Sequence, residues 1–174
     1  MESLNKYNIK LRLVEEADAD FIIKLRSDES KARFISKTDS DVNKQKLWIK
    51  EYKIREKHKQ EFYFIAIDEN NNAFATYRVY NIKEHTAEIG SFVSKPDYDI
   101  PINVIKVDVI IKSFVFSSLG FDQLNFEVRK NNKSVVNYHS KFKPTLVNED
   151  ELNYYYILEK ELFNAGKLKF EKLF

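Results

Sequence analysis

The segment IPINVIKVDVIIKSFVFSS, residues 100–118, is apolar on nearly every side when wound as a helix, and so predicts a deeply buried helix. Gly120 follows it as a left-handed stop. The runs on either side, TAEIGSFVS (86–94) and DQLNFEV (122–128), read as strands. A strand, a buried helix and a second strand form a crossover, which joins parallel neighbours. Upstream, EFYFIAID (61–68), AFATYRVYNI (73–82) and the 86–94 run are separated by short polar turns, which predicts an antiparallel meander. Meander plus crossover means one mixed, mostly antiparallel sheet in an α/β fold.

The remaining segments complete that plan. NIKLRLV (8–14) alternates Ile9, Leu11 and Leu13 with polar residues and predicts a strand with one buried face. Residues 15–28 predict an amphipathic helix on Ala17, Phe21 and Leu25. Residues 40–58 predict a second, with Leu47, Trp48 and Ile54 inward and Ser40 or Asp41 as N-cap. NNKSVVNYHSKF (131–142) predicts a short helix, residues 144–163 a closing hairpin, and residues 164–174 a short helix or a loose tail. The expected order is β α α β β β α β α β β, a single domain over 1–174 with about four helices around the sheet.

Composition narrows the chemistry. The 174 residues carry a net charge of +2, too balanced to argue for nucleic acid or an anionic membrane. Cysteine is absent, which excludes disulfides, thiolate catalysis and sulfur-built zinc sites. No cluster has metal-ligand spacing, and neither a P-loop nor a serine nucleophile elbow occurs. With no apolar signal core or spanning run, a cytoplasmic protein is expected.

The element order and several local sequences resemble the GNAT superfamily of CoA-dependent N-acyltransferases. LRLVEEADADFIIKLRSDES is similar to the first strand and helix of the branch holding ribosomal-protein acetylases and sugar N-acyltransferases. AEIGSFVSKP resembles the central strand that binds pantetheine, and FVFSSLGFDQLNFEV the end of the cofactor helix and the next strand. NNKSVVNYHSKF resembles the N-x-x-S/A-x-x-x-Y helix, with Asn131, Ser134 and Tyr138 at its key positions. The chain departs from the family in two places. YDIPINV replaces the glycine-rich pyrophosphate loop, and KFKP replaces the L-G-F after the tyrosine helix. In wording the chain is most similar to enzymes that acylate nucleotide-linked amino sugars for surface polysaccharides.

That resemblance implies acetyl-CoA or 3-hydroxybutanoyl-CoA as donor and a nucleotide-linked amino-dideoxy sugar, dTDP-linked in the most similar enzymes, as acceptor. It implies no metal, no nucleic-acid or membrane partner, and a monomer or homodimer. The amides of Ser91, Phe92 and Val93, next to Gly90, would meet pantetheine. Those of Ile102, Asn103 and Val104, at the start of the 100–118 helix, would hold the pyrophosphate without glycine. Pro101 suits the first helical position, and Asp99 is the expected N-cap. Asn131 and Ser134 complete the cofactor set, with Asn131 and Tyr138 seven apart on one helical face. Tyr138 is the candidate acid for the leaving thiolate, although a chain with ten tyrosines also uses them in its core. Glu88, two before Gly90 on one strand face, is the candidate base; an ordinary surface glutamate is the competing reading. His85 and His139 rank behind it, His139 as structural or exposed. Arg26, Phe34, Lys37 and Arg78 are the candidate nucleotide contacts, set against solvated surface for Arg26 and Lys37. Two other functions fit the same fold: an acetylase of protein N-termini, and an inactive binding module, which the missing glycine loop would explain.

Overall fold

The computed structural model describes residues 3–28, 39–98 and 100–174. Phe34, Lys37 and Asp99 fall outside the described residues. Strands β1 (Leu4–Lys6), β2 (Ile9–Leu13), β3 (Phe62–Ile67), β4 (Ala73–Tyr80), β5 (Thr86–Ser94), β6 (Gln123–Arg129), β7 (Thr145–Glu149) and β8 (Asn153–Glu159) form one sheet in the order β1-β2-β3-β4-β5-β6-β8-β7. Every pairing is antiparallel except β5 with β6, the pair joined by the crossover helix. The α/β architecture read from the sequence is the one observed.

The sheet divides two cores. Phe62, Phe64, Phe74, Tyr77 and Val79 join the larger one, under helices α3 (Pro101–Ser113), α4 (Lys133–Ser140) and α5 (Lys160–Glu171). Tyr63 and Ile65 point the opposite way, into a smaller core with α1 (Ala19–Ser27) and α2 (Val42–Lys57). Burial on both faces explains why β3 is apolar throughout instead of alternating. Helix α3 widens into a π turn over Phe114–Ser118 and ends at Gly120, whose φ of 75° confirms the left-handed stop.

Four local expectations are corrected. In α2 the inward residues are Ile49 and Tyr52, with Trp48 half-buried, while Leu47 and Ile54 are 60% and 63% exposed. Leu47 and Ile49 lie about 200° apart around a helix, so only one can face the sheet. Tyr52 decides which, because its hydroxyl accepts from the Tyr63 amide at 2.9 Å and donates to Glu56 at 2.5 Å. The expected cap holds: the Asp41 carboxylate accepts from the Asn43 amide at 2.8 Å. Ala17 is exposed in a 3-10 turn, and the buried stripe of α1 runs through Ala19, Ile22, Ile23 and Leu25. The closing hairpin stops at Glu159, and residues 160–171 form a further helix with Phe163 inward. Helix α4 begins only at Lys133, so Asn131 lies in the preceding turn and shares no helical face with Tyr138.

Candidate active site

Strand β5 is where the sheet opens. Its parallel register with β6 covers Thr86, Ala87 and Glu88 and goes no further, although β5 continues to Ser94. On its other edge the register with β4 jumps from Arg78–Gly90 to Thr76–Val93, which sets Ser91 and Phe92 against Tyr77 alone. This is a β-bulge, and Ser91 takes the left-handed conformation with φ 54°. Gly90 serves a different purpose. A Cβ there would stand 2.8 Å from the Tyr80 hydroxyl oxygen, so glycine makes room for that ring. The bulge and the missing β6 partner leave Ser91, Phe92 and Val93 bordering a splay, as an extended amide-bearing ligand requires.

At the start of α3, Ile100 occupies the N-cap and Pro101 the first turn, with no side-chain cap. Asn103 is buried; its side chain donates to the Tyr98 hydroxyl at 2.7 Å and its amide to the Ile100 carbonyl at 3.0 Å. Tyr98 stacks on Phe74 with ring centres 4.1 Å apart. Asn103 therefore shapes the loop from inside, which corrects its reading as a donor to phosphate. Ile102 and Val104 are half-buried and remain at the helix mouth.

Behind the splay, five polar side chains meet inside the larger core. The Asp108 carboxylate accepts from the Tyr77 hydroxyl at 2.7 Å, the Tyr138 hydroxyl at 2.7 Å and the Lys112 ammonium at 2.6 Å. Lys112 also lies 3.1 Å from His139 Nδ1, which assigns the ring proton to Nε2. Burial alone would raise the Asp108 pKa, but Lys112 reverses this and holds the carboxyl below its ordinary value. Burial and Asp108 push the Tyr138 phenol well above its ordinary value. Burial and the Lys112 charge press His139 down to about 3, so the ring is neutral and structural. Asp108 and Lys112 were not read from the sequence. Their signal was an acid and a base four apart in an otherwise apolar helix.

On the opposite face, Arg26 and Arg78 line one cavity of about 290 Å³ together with Lys44, Trp48 and Tyr63. Arg78 meets the buried Glu61 carboxylate through Nε at 2.8 Å and Nη2 at 2.5 Å, and Arg55 Nε donates to the same carboxylate at 2.8 Å. The Arg78 guanidinium also lies 5.1 Å from the Trp48 ring and 5.0 Å from the Tyr80 ring. This accounts for a charge in mid-strand. Tyr63 turns its hydroxyl toward Arg26; burial raises its pKa, and the two arginines oppose that rise. Trp48, Tyr63 and Glu61 were missed as site residues because each also reads as an ordinary core or strand residue.

Glu88 adjoins this cavity through Tyr80. Its carboxylate accepts from the Tyr80 hydroxyl at 2.6 Å and from the Asn81 side chain at 2.8 Å. Burial and the charge of Glu88 raise the Glu127 pKa, so the two carboxylates are electrostatic neighbours. His85 and His58 are exposed, Asn131 and Ser134 lie at the surface, and Ser134 donates to the Asn132 side chain at 3.1 Å.

A family profile described as an acetyltransferase (GNAT) domain matches residues 8–143. A solved structure described as apo FdhC, a nucleotide-linked sugar GNAT, is 32% identical, with 98% of this chain and 97% of that chain covered and a TM-score of 0.87. The ribosomal-protein-S5-alanine acetyltransferase of Vibrio fischeri is 15% identical, with 93% and 99% covered and a TM-score of 0.74. Spermidine N-acetyltransferase of Vibrio cholerae, in complex with CoA and spermine, is 13% identical, with 91% and 99% covered and a TM-score of 0.76. These last two share the fold. Among curated protein sequences none matches. The chain belongs to the GNAT acetyltransferase family, enzymes that move an acyl group from coenzyme A to an amine.

Proposed function

We propose that the protein acylates the amino group of a nucleotide-linked, dTDP-type amino-dideoxy sugar, with acetyl-CoA or 3-hydroxybutanoyl-CoA as donor, in the assembly of a surface polysaccharide. The observation that carries this reading is the cavity joining Arg26 and Arg78 to Trp48, one tyrosine away from Glu88. A nucleotide diphosphate needs paired cationic donors and a flat apolar surface for its base. Arg55, Arg78 and Glu61 together hold two positive charges against one negative, so the cluster still attracts an anion. The similarity to a nucleotide-linked sugar GNAT agrees with this acceptor. Phe34 and Lys37 belong to the same proposed contact set.

In this reading pantetheine lies along Ser91, Phe92 and Val93, its pyrophosphate meets the amides of Ile102 and Val104, and Asn131 and Ser134 border its path. The amine approaches from the cavity face and attacks the thioester carbonyl. As the C–N bond forms, Glu88 takes the amine proton. As the C–S bond breaks, the Tyr138 hydroxyl turns its one hydrogen from Asp108 to the departing thiolate and protonates it, and exchange with solvent restores both groups. The test is a mass-spectrometric screen of nucleotide amino sugars and peptide N-termini against several acyl-CoAs. An acylated dTDP-amino sugar is the expected product. Acylation of peptides alone, or of nothing while coenzyme A still binds, would overturn the proposal.

A further inference from the structure

The Asp108 cluster is unusual for where it sits. Asp108 and Lys112 have 3% and 0% of their side chains exposed. An ion pair so deep is a poor source of stability, because desolvating both charges cancels most of their attraction. The contacts of the pair are directional. One carboxylate oxygen takes the Tyr77 hydroxyl; the other takes Tyr138 and Lys112. Tyr77 in turn stacks on Phe92 of the bulge, with ring centres 4.6 Å apart. Asp108 thus links the strand that opens the splay to the helix that carries Tyr138.

We propose that Asp108 is the positioning residue for Tyr138, with Lys112 as its fixed counter-charge and Tyr77 as the brace that ties it to the bulge. The assignment rests on Tyr138 being the acid of the acyl transfer. A phenol on a short helix can rotate about two side-chain bonds. A carboxylate hydrogen-bonded to its hydroxyl removes that freedom and holds the oxygen at one point relative to Phe92 and the thioester path, from which a turn about the C–O bond alone carries the hydrogen from Asp108 to the departing sulfur. Lys112 keeps the carboxylate ionised without reaching solvent, and its ammonium packs 4.3 Å from the Phe142 ring and 5.3 Å from the Tyr138 ring. Displacing a reacting group by an ångström costs on the order of a hundred-fold in rate, which sets the scale of the expected effect.

The experiment is a double-mutant cycle on kcat and on the KM for acyl-CoA. Asp108→Asn should lower kcat about ten- to a hundred-fold with the KM for acyl-CoA unchanged. Tyr77→Phe, which leaves the ion pair whole, should lower it less. In a Tyr138→Phe background neither change should slow the enzyme further, because there is no hydroxyl left to position. Should Asp108→Asn fail to fold, Asp108→Asn with Lys112→Met leaves no charge stranded and should show the same kcat loss. Equal losses with and without the Tyr138 hydroxyl would make the cluster purely structural and overturn the inference, as would an unchanged kcat in Asp108→Asn. Wild-type kcat in Tyr138→Phe by itself would instead remove Tyr138 as the acid, a failure visible in that single variant, and the positioning role would fall with it.

Discussion

Two buried carboxylates, one on each side of the sheet, hold cations in opposite ways. Glu61 faces α2 and is clasped by Arg55 and Arg78, whose side chains keep 34% and 23% of their surface open; Arg78 also lines the cavity. Asp108 lies on α3 and bonds to Tyr138 of α4, and its partner Lys112 has no exposed surface at all. A cation that reaches a cavity can share its donors with an arriving anion, so the Glu61 cluster is suited to binding. A sealed cation has nothing to exchange with, and the Asp108 cluster is confined to holding other groups in place. In the proposed reading similar ionic chemistry serves recognition on one face and geometry on the other, and solvent access separates the two.

The contrast breaks most clearly at Tyr138. Tyr138→Phe should lower kcat about ten- to a thousand-fold through loss of a proton donor, while the KM for acyl-CoA stays within error in steady-state assays. A change in KM alone would put Tyr138 among the binding residues instead.

The sealed side should also be the acid-sensitive side. The unfolded chain protonates His139 near its ordinary 6.5, but the folded chain resists until about 3. The unfolded state therefore binds the extra proton throughout that window. Stability from this site is complete above about 6.5 and is lost as pH falls toward 3, by on the order of a few kcal/mol. Urea unfolding at pH 7 and pH 4.5 measures this, and His139→Phe should flatten the difference.

On the open side, Arg78→Ala should raise the KM for the proposed nucleotide-sugar acceptor about ten- to a hundred-fold, as expected for losing a hydrogen bond to a charged group. The KM for acyl-CoA should hold. Equal effects on both substrates would mean that Arg78 supports the sheet rather than the acceptor.

The smallest effect belongs to the link between the two sides. Gly90→Ala would bring a Cβ to 2.8 Å from the Tyr80 hydroxyl and force that group off Glu88. A flexible ring end can move, so only a several-fold fall in kcat/KM is expected, with little change in melting temperature. An unaffected rate would separate Tyr80 from the action of Glu88.

Much of the architecture was legible in local pattern. The apolar helix after Pro101, its stop at Gly120, the meander, the crossover and the irregularity beside Gly90 each follow from a few neighbouring residues, because periodicity and backbone preference act over one or two turns. The candidates Tyr138, from its motif, Glu88, from its strand face, and the charged Arg78 could also be named. Tertiary packing alone could decide what those residues touch. Register sets Glu88 opposite Tyr80 and Gly90 opposite Arg78. Packing brings Asp108 to Tyr138 across thirty positions of chain and Glu61 to Arg78 across seventeen. It turned α2 so that Tyr52 displaced Leu47 and Ile54 from the core. Hydrophobic burial is non-directional and writes its period into the sequence. Hydrogen bonds and ion pairs act only at contact distance, so their partners exist only once the chain has folded.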